Sequence, residues 1–403
     1  MDMELSAQHK EAQKIFREFV KQNITPTAAE CDRVQETPMD LIKTIADEGY
    51  LGALVPEQYG GKGMDPLSWG LLCEEVGHES ASLLSLLTVH SMVIQAIVKW
   101  GTEGQKNKWL PRLATGETIG GFGLTEIKTG SDARNAKTVA TLKEDYTSDE
   151  KTSSKDEGTA QFYVLNGRKR WISFGQVASL FIILGQLDEK PTAFLVERES
   201  EGFSTEAISG MMGFKSAMLA ELRMDDCIIP GENMVGRPGF GFSHVIGAAL
   251  DQGRFCIAWG SLGIAQGCVD ACLSYTNERE QFGVSIKEHQ LIQEMIADMI
   301  TQTSAARMLC LNAASLKAKG DPSLIMETSM AKYFASRAAV KIAGDAVQIH
   351  GANGCSDQYP VERYFRDAKI MEIIEGSNQM QQIIISRYGY QKYQMSKMQE
   401  GKK

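Results

Sequence analysis

The stretch 162–173, FYVLNGRKRWIS, sets an Asn-Gly pair between two β-prone runs, the strongest short-range signal for a hairpin. Short strands follow it in SLFIILGQL, TAFLVERE and AELRMDDCII, each bounded by turn residues. Before residue 119 the texture is different. Ile15, Phe16, Phe19 and Val20 recur at helical spacing, as do Leu41, Ile42 and Ile45, and VPEQYGGKGMD reads as the loop before further helices. From about Phe242 onward, three segments longer than about 20 residues and a fourth after Glu375 read as long amphipathic helices of a bundle. The chain therefore reads as mainly α with a central β domain. Residues 1–118 are expected to be helical, 119–232 a β domain, 233–395 a four-helix bundle and 396–403 a disordered tail. The polar run 146–158, YTSDEKTSSKDEG, reads as a solvated loop between strands.

Bulk properties narrow the function. The net charge is −9, which argues against nucleic acid or an anionic membrane as the main partner. No run is read as approaching the roughly 18 apolar residues of a membrane span, and the polar N-terminus lacks a signal-peptide core, so a cytoplasmic protein is expected. The eight cysteines form no Cys-x-x-Cys pair. Cys268 and Cys272 are helical neighbours without a second ligand pair, so they read as buried small residues and no metal is expected. There is no Gly-x-Gly-x-x-Gly between a strand and a helix and no Walker loop, so any redox cofactor is not held by a Rossmann unit.

MEIIEGSNQMQQ, residues 371–382, poses the chemical question. Glu375 follows two isoleucines and precedes a glycine. It can be a structural acid supporting the first turn of a terminal helix, or a base kept partly out of water.

Seven stretches in one order decide between these: FGLTEIKTGSDARNAKT (122–138), RWISFG (170–175), LDQGR (250–254), NEREQFG (277–283), EHQ (288–290), QIHGANG (348–354) and VERYFRDAKIMEIIEGSNQMQQ (361–382). With them, the chain resembles the acyl-CoA dehydrogenase family of flavoenzymes from about residue 5 to about 393. The resemblance implies an N-terminal helical domain, a β-barrel-like middle domain and a C-terminal four-helix bundle, with FAD between them, in a homodimer or homotetramer. It assigns the catalytic base to Glu375, with the thioester carbonyl held by a flavin hydroxyl and the Glu375 backbone N–H. Burial near Ile373 and Ile374 is expected to raise the carboxyl's pKa, and Gly376 lets the thioester lie against the backbone. Flavin contacts are implied for Phe122, Leu124, Thr125, Gly130 and Ser131 and, on the other face, Trp171, Ile172 and Ser173. Arg279, Phe282, Gln290, Gln348, Ile349, Gly351 and Ala352 are implied to reach the FAD phosphates or adenine from a partner subunit, and Ser377, Asn378 and Gln379 the adenosine. Ser131, Asp251, Arg254 and Gly376 are implied to contact the substrate. Gly253 cannot carry the base that some relatives place just before this arginine. His350 reads as a core or interface histidine. Ile127-Lys128-Thr129 departs from the family's Pro-Gly-small run, and Lys128 reads as facing solvent or a phosphate.

Further stretches, among them MLAELRMDDCIIPGENMVGRPGFGFSHV and AWGSLGIAQGCVDAC, resemble the branch of the family that oxidises small acyl groups on an acyl carrier protein in polyketide and hybrid peptide (antibiotic) pathways. The expected substrate is thus an acyl thioester on phosphopantetheine, carrier-bound by this resemblance, with C–C or C–O oxidation open. Arg168, Lys169 and Arg170 are a candidate basic docking run or a solvated strand. The alternatives are a CoA-linked short-chain or branched acyl-CoA dehydrogenase of catabolism, a flavin monooxygenase or oxidase on the same scaffold, and a helical binding protein that has lost catalysis. An electron-transfer flavoprotein or oxygen would accept the electrons.

Overall fold

The computed structural model describes residues 5–144 and 161–400; the run 146–158 lies outside them. The N-terminal helices are α1 (Ala7–Asn23), α2 (Thr25–Val34), α3 (Met39–Asp47), α4 (Pro66–Glu79), α5 (Ala81–Trp100) and α6 (Glu103–Ala114). Their starts are written locally. Asp65 accepts from Leu67 N and Ser68 N ahead of Pro66 at the first turn of α4, and Thr102 with Gln105 forms a capping box at α6.

The strands are β1 (Gly120–Gly123), β2 (Val139–Glu144), β3 (Gln161–Ile172), β4 (Leu180–Leu187), β5 (Lys190–Glu197), β6 (Phe203–Ala207), β7 (Ala220–Pro230) and β8 (Met234–Val235). They form one sheet in the order β6-β7-β3-β2-β4-β5-β8, with β1 parallel to β4. The sheet thus reaches past residue 232. The expected hairpin at Asn166-Gly167 is absent: both flanks belong to the single strand β3, antiparallel to β7 throughout. The pair is a bulge, with the register slipping between Leu165↔Cys227 and Gly167↔Met224. Asn166 closes it by exchanging hydrogen bonds with Asp226, and the bare Gly167 backbone lets Thr138 come close enough that a Cβ would lie 2.8 Å from its Cα. An Asn-Gly signal reports a backbone irregularity. Whether it reverses the chain depends on which strands are available to pair.

The bundle comprises α7 (Gly247–Glu278), entered through a π turn at Gly241–Ile246, then α8 (Gln290–Lys319), α9 (Leu324–His350), α10 (Val361–Met371) and α11 (Asn378–Glu400). A small ribbon of β9 (Glu280–Gln281) and β10 (Val284–Ser285) precedes α8. The helix α9 packs against α7, α8, α10 and α11, while α7 also packs on α4 and α5, joining the first block to the last. The motif VERYFRDAKIM is itself a helix, α10, burying Val361, Tyr364, Ala368 and Met371. Two expectations fail here. Residues 396–400 continue α11 instead of forming a disordered tail, because Lys, Met, Gln and Glu are strong helix formers. Two helical runs, Ala81–Trp100 and Gly241–Glu278, are long and apolar enough to cross a membrane by length and composition. Both are mostly buried in the fold, and a helix enclosed on all sides needs an apolar surface all round. Cys268 and Cys272 are buried on α7.

Candidate active site

Between the end of α10 and the start of α11 the chain turns sharply at Glu375 (φ 54°) and Gly376 (φ 84°). A glycine takes this left-handed region freely; a glutamate there is uncommon and must be held. Three elements hold it. From α9, Lys332 Nζ donates to Glu372 O at 3.3 Å, Gly376 O at 3.1 Å and Asn378 Oδ1 at 3.0 Å. From α11, Gln381 Nε2 donates to Glu375 O at 3.3 Å and Gly376 O at 2.8 Å. From α7, Arg254 Nε donates to Glu375 O at 3.3 Å. The Glu375 N–H itself has no acceptor among the described residues.

The carboxyl is closed in by long-range packing. Its Oε2 is shut off from solvent and has no hydrogen-bond partner, although the residue as a whole is half-buried. The covering groups differ from those expected: Ile373 is 56% exposed and faces away. Gly253 of α7 and Met92 of α5 do the covering instead, since a Cβ at 253 would overlap Glu375 Oε2 and come within 2.8 Å of Met92 Sδ. Burial pushes the Glu375 carboxyl up to about 7, opposed by the Arg254 charge, reinforced by nearby Cys256 and opposed again by Lys332. Gly253 is therefore a requirement of the position of the Glu375 carboxyl. Gly253→Ala is expected to lower kcat roughly 10–100-fold through displacement of the carboxylate, with cofactor content unchanged, as read by steady-state rates and flavin absorbance. A wild-type kcat would place the base elsewhere.

A second group of expected residues meets at the end of β3. Arg170 N donates to Thr125 O at 2.8 Å, fastening the loop that follows β1 to the segment Trp171–Ser173. Trp171 is partly exposed with a left-handed backbone (φ 65°), Leu124 and Thr125 are half-buried, and Gly130 and Ser131 are exposed. The hydroxyls of Thr125, Ser131 and Ser173 make no hydrogen bond among the described residues. Phe122 and Ile172 are buried in the sheet, so Ile172 can face a ligand only through its backbone. Beneath the loop lies a carboxylate that the sequence reading passed over. Glu126 accepts from Lys169 Nζ (2.7 Å), Lys137 N (2.6 Å), Thr138 N (2.9 Å), Thr138 Oγ1 (2.7 Å) and Thr129 Oγ1 (3.2 Å). The departure at 127–129 leaves a closed turn, with Glu126 N donating to Thr129 O at 2.9 Å, and turns Lys128 out to solvent.

This geometry takes Lys169 out of the candidate basic docking run. Lys169 is fully buried, because alternation along β3 turns it to the opposite face from Arg168 and Arg170. Those two arginines and Arg223 share two carboxylates, Glu221 and Glu206, around one cleft.

A third group gathers at the far end of α7. Arg279, His350 and Asn353 line a cavity of about 410 Å³ with Tyr275 and Tyr359. His350 is a packed core histidine, stacked on Tyr275 at 4.2 Å with Nδ1 2.8 Å from Ala346 O. Phe282 is 95% exposed on the ribbon, and Gln290, Gln348, Gly351 and Ala352 are exposed, whereas the Ile349 side chain is buried. After the turn, Ser377 is half-buried and Gln379 exposed. Asn378 is not free to contact an adenosine: its amide is buried and engaged by Lys332, Ser336 and Glu372. On the substrate side, Asp251 is buried and accepts from Lys317 Nζ at 3.2 Å, with its Oδ1 closed off and unpartnered.

Lys332 went unread in the sequence. The available signal was its place between Thr328 and Ser336, four residues either way on a face of α9 that is buried throughout.

The comparisons with known proteins agree with this arrangement. Residues 6–117, 121–227 and 239–389 match the N-terminal, middle and C-terminal domains of acyl-CoA dehydrogenase. An acyl-CoA dehydrogenase of Bacillus subtilis is 39% identical over 93% of this chain and 96% of its own length. Butyryl-CoA dehydrogenase from Megasphaera elsdenii superposes with a TM-score of 0.88 at 34% identity, covering 96% of this chain and 99% of that one. The prolyl acyl carrier protein oxidase AnaB does so with a TM-score of 0.87 at 25% identity, again over 96% and 99%. With three domains matched in order and a relative of that identity along nearly its whole length, the chain belongs to the acyl-CoA dehydrogenase family.

Proposed function

We propose that this protein dehydrogenates a short acyl thioester of coenzyme A, with Glu375 as the base and FAD as the cofactor. The observation that carries the reading is the Glu375 carboxyl: desolvated, unpartnered at Oε2, and borne on a left-handed turn whose own N–H is free. A carboxylate in such surroundings, raised to about 7, is matched to removing a weakly acidic proton beside a thioester carbonyl. The Glu375 N–H is placed to donate to that carbonyl oxygen as charge develops on it. Gly376 takes its left-handed backbone (φ 84°) freely and lets the Gln381 amide close on the turn, since a Cβ there would lie 2.9 Å from Gln381 Nε2. Arg254 tethers the Glu375 carbonyl and so fixes the direction of the carboxylate.

The residues present fit a flavin nucleotide. Thr125, Ser131 and Ser173 offer hydroxyls with no hydrogen bond among the described residues, and Arg279, at the far end of α7, offers a cation for the nucleotide of a partner subunit. FAD, when bound, supplies the two-electron acceptor for the hydride leaving the β carbon.

The preference for a short acyl group is supported by what fills the space behind the base. Trp69, Met92, Phe255, Cys256 and Trp259 are all buried there between α4, α5 and α7, and Trp259 presses on the bare backbone of Gly70. The relative acting on butyryl-CoA agrees with that reading. The preference for CoA is supported by the butyryl-CoA and other acyl-CoA dehydrogenase relatives and by the burial of Lys169, which leaves two of the three basic residues at 168–170 on the surface, while the likeness to a carrier protein oxidase supports the alternative. Mixing the purified holoenzyme anaerobically with butyryl-CoA, and with butyryl loaded on an acyl carrier protein, separates the two. Flavin bleaching with the CoA ester is expected. Bleaching with the carrier form alone would replace this reading by the carrier one.

A further inference from the structure

We propose that Lys332 is the positioning residue of the base: its ammonium clamps the left-handed turn and supplies, with Arg254, the cationic field that keeps Glu375 ready to accept a proton. This rests on the reading of Glu375 as the base. The side chain is fully buried, which costs a lysine dearly unless it is paired. Each of its three acceptors, Glu372 O, Gly376 O and Asn378 Oδ1, lies within the seven residues 372–378 around Glu375. One helical turn further along α9, Ser336 donates to the same Asn378 Oδ1 at 2.9 Å, so α9 grips the link at a doubled point. Two carbonyls and an amide oxygen are neutral. The buried ammonium has no carboxylate directly against it, and its charge is left to act through space.

The groups facing the pair come from every packed element. The helix α7 presents Arg254, Asp251 and Cys256, with Asp251 already neutralised by Lys317 of α8. The end of α10 presents Glu372, itself bonded to Lys369. The helix α5 presents Met92, and α11 presents Asn378 and Gln381. Burial lowers Lys332 to about 7, opposed by Glu375, reinforced by Arg254 and opposed by Glu372. Lys332 therefore holds the backbone on either side of Glu375 and the Asn378 amide, and makes no ion pair with the Glu375 carboxylate among the described residues.

The test uses FAD-loaded Lys332→Met and Lys332→Gln beside wild type and Glu375→Gln, following kcat/KM for butyryl-CoA against pH with a dye acceptor. Removing the cation makes the carboxylate harder to form, so the acid limb moves to higher pH. A shift of about one unit is expected in both Lys332 variants, with activity near pH 7 falling roughly fivefold and recovering in alkaline buffer. Lys332→Gln, which keeps a donor to the turn, should recover more fully than Lys332→Met. A uniform loss with the limb unmoved, or failure of both variants to hold flavin, would assign Lys332 to folding alone and overturn the proposal. If Glu375→Gln were fully active, the base reading would fall first, a result separable from any shift of the limb.

Discussion

Glu375→Gln is expected to yield a yellow, flavin-loaded protein whose turnover is lower by roughly 10²–10⁴-fold. Gln has the shape of Glu and the same backbone demands, so the turn, the free N–H and the grip of Lys332 and Gln381 should survive. What disappears is the group that can take up the proton. Flavin absorbance of the purified variant reads the fold, and stopped-flow bleaching with butyryl-CoA reads the chemistry. The wild type carries a companion signature. Only the carboxylate form can act, so kcat/KM should fall about tenfold per pH unit below a limb near 7, the value to which burial raises this carboxyl. A solvent-exposed glutamate would keep activity down to its ordinary range. Turnover by Glu375→Gln within a few-fold of wild type would transfer the role to another residue.

Lys169→Met should be the most damaging change outside the base. It leaves Glu126 buried without its cation, and breaking a buried ion pair in this one-sided way costs about 3–5 kcal/mol. A fall in melting temperature on the order of 10 °C is expected. Because Glu126 also ties Lys137 N and both donors of Thr138, the loop bearing Thr125 and Ser131 should loosen and flavin retention should drop with it. The double variant Lys169→Met/Glu126→Gln removes both charges and should recover part of the loss. If it is no better than the single variant, the pair is not the cause. Burial drives Lys169 down to about 8; it would drive Glu126 up, but the lysine and the surrounding donors bring Glu126 to about 2. A carboxylate depressed in the folded state stabilises above its unfolded pKa. This contribution should be intact at neutral pH and disappear as pH falls from about 4.5 towards about 2.

Periodicity marked the three blocks because helices and strands repeat their apolar positions at fixed local spacing. Glu375 stood out because an acid before a glycine, among ordered motifs, needs no tertiary information to be noticed. The hairpin at Asn166-Gly167 misled for the complementary reason: a turn dipeptide describes two residues, and strand pairing depends on β7, more than fifty residues away. Lys169, placed by its neighbours in a basic run, belongs by strand alternation to the interior and to Glu126. The covering of the Glu375 carboxyl is likewise non-local. Ile373 adjoins Glu375 in the chain yet faces solvent, while Gly253 and Met92 arrive on other helices to exclude water. With Glu375 singled out by the ordered motifs that carry the family resemblance, element type was legible from residue order, because it follows from near neighbours. The acid's basicity was not, since desolvation and charge add over everything within a few ångströms in space, and only the packing of α5, α7, α9 and α11 brings those groups to it.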